Sequence, residues 1–373
     1  MLRFSTAGES HGPGLIALLE GIPAGLPLQA DDLTPMLRRR QSGYGRGQRQ
    51  RIESDSAEIL SGVYSGRTTG APIALSVRNR DYEHWRDRQV PPWRRPRPGH
   101  ADLAGAVKYG LDDLRLVAER ASARETAARV AAGAVAVRLL TEVGITVGSY
   151  VRAIGPVEAD LGEMPLAERV AQALTSDVAC PDAAAADAMR AAIDAAQQAG
   201  DSLGGIFDVV AWGLPVGLGS HVQWDRRLDA RLAAAVMSIQ AIKGVEIGPA
   251  FANARLPGTR VHDALYATAT GYERRTNRAG GIEGGITNGE PLVLTAAMKP
   301  IPTTLAPQPT VDLDTGQQVE TQYQRSDGCA VPAAAVVGEA MVALILVEAL
   351  NERYGGDTLA DLQQRMGGAH ATP

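Results

Sequence analysis

Two stretches of this sequence, one in each half of the chain, decide its fold because they repeat one another. Residues 8–26 read GESHGPGLIALLEGIPAGL, and residues 200–218 read GDSLGGIFDVVAWGLPVGL. Seven positions are identical without a gap, among them the pair Gly21/Gly213. Shared glycines and prolines are typical of tight turns and of backbone with positive φ, so the identical positions are interpreted as scaffold.

A second repeated pair follows in the same order. Residues 61–75 read SGVYSGRTTGAPIAL, and residues 280–294 read GGIEGGITNGEPLVL. A weaker third pair aligns Arg120 and the helix after it with Arg325 and its helix. Three matches in one order predict two related halves joined about a pseudo-two-fold axis.

The repeat also indicates where the two halves differ. They are predicted to span roughly residues 1–155 and 200–373 of one structural unit that comprises the whole 373-residue chain. The acidic, Ala-rich segment 156–199 is predicted to be a helical excursion between them. Position 11 is His in the first copy, whereas its counterpart is Leu203. The shared scaffold does not require an imidazole there, so His11 is interpreted as a functional residue.

Local patterns predict an α+β fold. Apolar, β-branched runs bounded by Gly and Pro predict the strands Leu15–Leu19, Ile206–Ala211 and Leu292–Ala296. Ala-rich periodic runs predict the helices Arg124–Val143, Pro165–Leu174, Asp182–Gln198, Leu228–Ile242 and Pro332–Arg353. Long loops usually build or cover a site, and the Gly-, Pro- and Arg-rich loops predicted here are 38–54, 78–102, 270–289 and 299–325.

Composition excludes several functional classes. Apolar residues make up 45% of the chain and charged residues 21%, as in a soluble globular protein, and the net charge is −5. General binders of nucleic acid or of membrane surfaces need a positive field. The apolar stretch 330–350 contains Glu339 and Glu348 and is predicted to be a buried helix rather than a membrane span. The two cysteines form no metal-ligand cluster, which favours a reduced, cytoplasmic compartment.

An arginine-rich segment is the first candidate binding element. It contains six arginines threaded with glycines: Arg38, Arg39, Arg40, Arg46, Arg49 and Arg51. Guanidinium groups bind carboxylate and phosphate through paired hydrogen bonds, and a glycine-rich backbone lets several of them converge. The alternatives are a solvated charge run and a nucleic-acid patch. Tyr44 is the only interleaved aromatic residue and the surrounding chain is acidic, which favours a small anionic ligand.

Two histidines lie beside glycines, His11 in GESHG and His100 in RPRPGHAD. A lone histidine is usually structural, but flanking glycines leave the ring accessible. Imidazole titrates near neutral pH and suits proton delivery to a leaving phosphate or to a cofactor nitrogen. No spacing matches a zinc site, so no metal is predicted.

Two segments precede predicted helices and offer an anion the N–H groups of a helix N-terminus. They are ERASARET (119–126) and RSD (325–327), in which Ser122 and Asp327 are alternatively only N-caps. Asp327 lies next to an arginine and is expected to stay ionised, as a base or as the partner of a protonated group. MKPIPT (298–303) offers a lysine and a threonine to a phosphate, the alternative being an ordinary proline-rich turn. No glycine pattern of an ATP or Rossmann-type dinucleotide site is present.

Together these motifs resemble the chorismate synthase family over essentially the whole chain. The motifs stand in the family's order: GESHG, RRRQSGYGRG, RPGHAD, RASARET, SIQAIKGVEIG, GGIEGGITNG, KPIPT and RSDGCAVPAA. Ala121, where a second Ser is common, and Gly328, in a variable position, are small departures. The resemblance implies a β-α-β sandwich, in which helices lie between antiparallel sheets, and assembly as a homotetramer.

The resemblance also implies the reaction. Enzymes of this family convert 5-enolpyruvylshikimate 3-phosphate to chorismate by 1,4-elimination of phosphate, and they need reduced FMN. By the same resemblance, His11 protonates the departing phosphate, His100 keeps the flavin protonated near N1, and Asp327 assists flavin N5 in taking the ring proton. The implied substrate ligands are Ser10, Arg40, Arg46, Arg49, Arg97, Ser122, Ala123, Arg124 and Arg325.

The implied flavin ligands are Arg120, Ala121, Ser122, Gln240, Ala241, Gly284, Lys299, Pro300, Ile301, Pro302, Thr303 and Arg325. Two sources of reduced flavin stay open: NADPH, for which Arg40 and Arg46 are the candidate contacts, and an external flavin reductase. The alternative function is that of a flavin- or NAD(P)H-dependent oxidoreductase acting on an anionic small molecule.

Overall fold

The computed structural model describes residues 2–47, 54–88, 90–269, 271–323 and 327–369. In chain order the strands are β1 (Arg3–Ala7), β2 (Gly14–Glu20), β3 (Ala57–Ile59), β4 (Val63–Tyr64), β5 (Arg67–Thr68), β6 (Ile73–Arg78), β7 (Thr146–Ile154), β8 (Val157–Glu158), β9 (Gly205–Trp212), β10 (Ile242–Ile247), β11 (Leu265–Thr268), β12 (Gly271–Arg274), β13 (Ile282–Glu283), β14 (Ile286–Thr287), β15 (Leu292–Met298), β16 (Pro309–Val311) and β17 (Gln318–Glu320). The α-helices are α1 (Ala30–Gln41), α2 (Asp102–Tyr109), α3 (Leu114–Ala121), α4 (Thr126–Glu142), α5 (Leu166–Ala173), α6 (Ala183–Gln198), α7 (Leu228–Met237), α8 (Ala250–Asn253), α9 (Val331–Arg353) and α10 (Leu359–Ala369).

Two antiparallel sheets form the outer layers. The first has the strand order β1-β2-β6-β3, and the second has the order β10-β15-β9-β7-β8. In β2, Leu15, Ala17 and Leu19 are buried, whereas Ile16 and Leu18 on the opposite face are exposed. Successive side chains of a strand point to opposite faces, so this alternation directs one apolar face into the core.

Helices α4 and α9 lie between the sheets. Helix α4 contacts β2 and β6, α9 contacts β7 and β9, and the two helices pack against each other. A Cβ atom at Gly133 of α4 would lie 2.2 Å from the Cβ of Ala340 on α9, so glycine is what permits this approach. The expected α+β sandwich, with helices between antiparallel sheets, is confirmed.

Helix α9 is the apolar stretch predicted to be a core helix. Its length and mean hydropathy would suffice to cross a membrane, but 89% of its most apolar window is buried inside the protein. Such burial characterises a core helix of a water-soluble fold. The prediction of a buried helix is confirmed.

The structure departs from the sequence predictions mainly at element ends and in the loops. Helix α7 ends at Met237 because the chain enters strand β10 at Ile242. The predicted loop 38–54 begins as the last turn of α1, where the N–H of Ser42 donates to the carbonyl of Arg38. Strand β12 and hairpin β13–β14 lie within the predicted loop 270–289, and hairpin β16–β17 lies within the predicted loop 299–325.

The repeated segments fold into matching elements. Strand β2 of the first copy aligns with β9 of the second, and β6 aligns with β15; in each sheet the two strands are neighbours. The small hairpins β4–β5 and β13–β14 also align residue for residue, and α4 aligns with α9. The segment between the copies contains α5, which packs on β7, and α6.

Candidate active site

A cavity of about 1080 Å³ lies where the connections between the layers meet. Ligand sites usually measure about 300–1,000 Å³, so this one is large enough for more than a small metabolite. Seventeen of the residues predicted for the site line it: Ser10, His11, Arg40, Arg46, Arg97, His100, Ala121, Ser122, Ala123, Arg124, Gln240, Ala241, Lys299, Ile301, Pro302, Thr303 and Asp327. These residues come from seven separate segments of the sequence.

Other predicted residues lie elsewhere. Arg120 and Pro300 adjoin the cavity in sequence but do not line it, and Arg120 instead donates hydrogen bonds to Thr6 and Gly8. Gly284 lies in the turn of the β13–β14 hairpin, outside the cavity. Arg49 and Arg325 fall outside the described residues.

His11 is held by a carboxylate from helix α3. Its Nδ1 lies 2.6 Å from Oε1 of Glu119, and its backbone N–H donates to Oε2 of the same residue at 2.6 Å. The ring also contacts Trp85, with ring centroids 4.7 Å apart. A mostly shielded imidazole with one nitrogen on a carboxylate is suited to proton transfer through the other nitrogen.

His100 has a carboxylate partner of its own. Its Nδ1 lies 2.5 Å from Asp102, which is fully buried and also accepts from the Arg97 guanidinium at 2.8 and 2.9 Å. Burial by itself would raise the pKa of Asp102, but hydrogen bonds from Arg97 and His100 outweigh it and hold that pKa well below its usual range. Asp102 therefore stays ionised beside the imidazole.

Two arginines of the cavity share one buried carboxylate. Arg124 donates to both oxygens of Asp55, at 2.6 and 2.8 Å, and Arg40 lies 3.3 Å from the same group. Burial lowers the pKa of Arg40 to about 9, the Asp55 charge opposes that change, and the charges of Arg124 and Arg46 add to it. Arg40 is thus protonated at neutral pH, and the cluster carries a net positive charge.

The arginine-rich segment divides between two tasks. Arg46 pairs with Asp327 at 2.8 Å, and the Asp327 carboxylate also accepts the N–H of Gly47 at 2.6 Å. Arg39 turns away from the cavity and forms a two-pronged pair with the buried Glu339 of α9. Arg39, although it belongs to the predicted anion-binding segment, joins the first half to the central helix α9.

The opposite wall of the cavity offers groups for a second ligand. The Lys299 ammonium donates to the Gly99 carbonyl at 2.9 Å, and burial, followed by the charge of Lys243, lowers its pKa. Gln240 donates to Glu125 at 3.3 Å. Ser122 caps the 3₁₀ turn that follows it, as the N-cap alternative predicted, while also facing Ser10.

Three buried polar atoms of the cavity wall have no hydrogen-bond partner among the described residues. They are Nε of Arg46, Nε1 of Trp93 and Oε1 of Gln240. Unsatisfied buried polar groups are costly in a folded protein. Two donors and an acceptor of this kind, in a cavity that Lys299 also lines, fit a polar, anionic ligand such as a phosphorylated flavin.

Sequence reasoning missed the carboxylates that organise these cations. Glu119, Asp55 and Asp102 are each within hydrogen-bond distance of a predicted site residue. Asp102 could have been found from the motif RPGHAD, since it lies two residues after His100. Glu119 lies 108 residues from His11 and Asp55 lies 69 residues from Arg124, so only tertiary structure brings these pairs together.

Comparison with known proteins identifies the family. A profile of the family described as chorismate synthase matches residues 2–350. The chorismate synthase of Moorella thermoacetica is 57% identical over 98% of this chain and 97% of its own length, and that of Geobacter sulfurreducens is 52% identical over 99% and 98%. A crystal structure of a chorismate synthase superimposes with a TM-score of 0.82 at 46% identity, covering 99% of this chain and 97% of that one. This chain belongs to the chorismate synthase family and is a carbon–oxygen lyase of the shikimate pathway.

Proposed function

We propose that the cavity binds 5-enolpyruvylshikimate 3-phosphate beside reduced FMN and that phosphate is eliminated there to give chorismate. One observation carries the proposal: both imidazoles, four arginines and Asp327 line a single cavity. A substrate with two carboxylates and a phosphate needs concentrated positive charge in a protein whose net charge is −5.

The substrate's anionic groups would be bound by the arginine side of the cavity. Arg40 and Arg124 present a preorganised pair because Asp55 holds them in place. Arg46 is paired with Asp327, and Arg97 is paired with Asp102. Each arginine would bind the ligand either in place of its carboxylate partner or in addition to it. The remaining proposed substrate contacts are Ser10, Ser122 and Ala123, which line the cavity, and Arg49 and Arg325, which lie outside the described residues.

Reduced flavin would occupy the wall opposite. The proposed ligands that line the cavity are Ala121, Ser122, Gln240, Ala241, Lys299, Ile301, Pro302 and Thr303. Arg120, Pro300 and Gly284 do not line the cavity and Arg325 lies outside the described residues, so their flavin contacts rest on the family resemblance alone. The flavin supplies the electronic part of the elimination, while the protein supplies position and charge.

Three residues would move or hold protons. His11 would donate a proton to the departing phosphate, and His100, fixed by Asp102, would keep the flavin protonated near N1. Asp327, which pairs with Arg46, would assist removal of the ring proton near flavin N5. Each role uses a group with a defined partner in the structure.

The decisive experiment is phosphate release from 5-enolpyruvylshikimate 3-phosphate under anaerobic conditions, with and without dithionite-reduced FMN. We expect many turnovers per flavin with no net flavin oxidation. Stoichiometric oxidation of flavin or of NADPH during turnover would instead identify the oxidoreductase alternative. Absence of phosphate release in both conditions would contradict the proposal.

The supply of reduced flavin and the assembly form separate parts of the proposal. NADPH would reach the flavin past Arg40 and Arg46. NADPH oxidation by the isolated protein with FMN tests whether the protein reduces its own flavin. If no oxidation occurs, an external flavin reductase is required.

We also propose a cytoplasmic homotetramer, built from chains that each form one duplicated unit. Light scattering of the purified protein tests the tetramer.

A further inference from the structure

The contact between His11 and Glu119 has a chemical consequence for the imidazole. At neutral pH an ionised carboxylate only accepts hydrogen bonds. Oε1 of Glu119 lies 2.6 Å from Nδ1, so Nδ1 carries a proton when the ring is neutral. The nitrogen not engaged by Glu119 is then Nε2, on a residue that lines the cavity.

Glu119 is positioned to hold the whole loop as well as the ring. Its backbone carbonyl accepts the N–H of Ser10 at 3.1 Å, and its Oε2 accepts the N–H of His11 at 2.6 Å. Helix α3 therefore contacts the loop that carries Ser10 and His11 through both the main chain and the side chain of Glu119. Trp85 packs against the imidazole at 4.7 Å and further restricts its orientation.

We infer that Glu119 is a positioning residue for His11, which fixes the neutral ring's proton on Nδ1, so that a proton exchanged with the ligand passes through Nε2. The inference rests on the proposed role of His11 in phosphate departure. In the reaction the doubly protonated ring gives its Nε2 proton to a phosphate oxygen, and Nδ1 keeps its own proton against Glu119, which leaves the neutral Nδ1–H ring.

The two hydrogen bonds to Glu119 make the isosteric variant Glu119→Gln unusually informative. The N–H of His11 can only donate, so the Gln carbonyl oxygen must face it. The Gln NH₂ group then faces Nδ1 and requires that nitrogen to be unprotonated. The substitution therefore moves the neutral proton to Nε2 and opposes the imidazolium form, although it preserves shape and volume.

The test compares Glu119→Gln with Glu119→Ala. For phosphate release with reduced FMN we expect kcat to fall about 100-fold in Glu119→Gln and about 10-fold in Glu119→Ala, within the range of general acid catalysis. KM should change little because neither variant removes a substrate ligand. A purely structural role predicts the opposite order, since Gln fills the site and Ala leaves it empty.

The second measurement is ¹⁵N NMR of histidine-labelled protein, which distinguishes the two tautomers directly. The chain has six histidines, and the His11 signal is assigned by its loss in His11→Ala. We expect an Nδ1–H tautomer in the wild type and an Nε2–H tautomer in Glu119→Gln. His100, held by Asp102, should keep its signal in both variants and serves as the internal reference.

The control is Glu58→Gln, an equal change of charge on an exposed side chain of β3 outside the cavity, for which we expect wild-type rates. An unchanged His11 tautomer in Glu119→Gln, or a slower Glu119→Ala than Glu119→Gln in folded proteins, would overturn the inference. Wild-type activity of His11→Ala would instead remove the proposed role of His11, whatever the tautomer proves to be.

Discussion

The two repeated halves have the same scaffold but different chemistry. In the first half Thr68 donates to the carbonyl of Pro23 at 2.6 Å and accepts the N–H of Leu26 at 2.9 Å. In the second half Thr287 does the same with Pro215 and Leu218, at 2.6 and 2.8 Å. We propose on this basis that the halves derive from one repeated unit, in which buried turn geometry is kept and ligand contacts diverge.

The divergence lies in the loops that face the cavity. His11 of the first half contacts Glu119, whereas its counterpart Leu203 pairs through its backbone with Gly328 and packs on Gly155. Asp55 lies two residues before β3, an edge strand of the first sheet. Gln240 lies two residues before β10, an edge strand of the second sheet. The first half therefore contributes most of the charged side chains that line the cavity, and the second contributes the cavity residues around Gln240 and Lys299.

The largest effect is expected when the first half is given the residue of the second. His11→Leu should lower kcat for phosphate release by about 10²- to 10³-fold, because it removes the proposed proton donor. Thermal unfolding should be nearly unchanged, since the scaffold already accommodates Leu at this place in the second copy. Leu203→Met is the matched control and should retain activity; similar rates for both variants would show that the halves do not differ in function here.

The next effect concerns the carboxylate that the second half lacks. Asp55→Asn removes the counter-charge that Asp55 provides to the buried Arg40 and Arg124 and should lower the free energy of unfolding by about 3 kcal/mol. Inorganic phosphate should restore more stability to the variant than it adds to the wild type. Denaturant titration with and without phosphate checks this, and equal stability of both proteins would show that the arginines do not need Asp55.

A smaller effect is expected at the equivalent helical glycines. Gly133→Ala places a Cβ 2.2 Å from Ala340 and should cost about 2 kcal/mol, whereas Gly338→Ala meets only the side chains of Val209 and Phe207 and should cost about 1 kcal/mol. Gly367→Ala, with open space around it, should be neutral or stabilising. Melting temperatures that rank Gly338→Ala as the more damaging would contradict the packing described for α4 and α9.

The smallest effect should be the same in both halves. Thr68→Val and Thr287→Val each remove the hydroxyl that accepts one backbone N–H and donates to one carbonyl, at a cost of about 1 kcal/mol. Activity should remain at the wild-type level at temperatures where both variants are folded. Denaturation midpoints measure the two costs, and a marked difference between them would mean that the two turns are not equivalent.

Much of the fold follows from local sequence. Strands β2, β9 and β15 and helices α4 and α9 were predicted to within a few residues, because their apolar periodicity is strong and Gly or Pro bounds them. Helices α1, α2 and α3 were not predicted. Helix α1 contains Pro35 and several charged residues, and α2 and α3 are each only eight residues long, so their patterns are weak.

The sequence by itself determined the duplicated turns, the apolar strands and helices, and which residue types were available for binding anions, since these depend on backbone preference and side-chain chemistry. Tertiary structure alone decided the pairings: Glu119 with His11, Asp55 with two arginines, and Glu339 with Arg39. Local propensity carries no information about partners that lie 15 to 300 residues apart, because folding brings them together through packing elsewhere. That packing determines which carboxylate pairs with each arginine or histidine. The pairing in turn determines which of these side chains can bind a ligand.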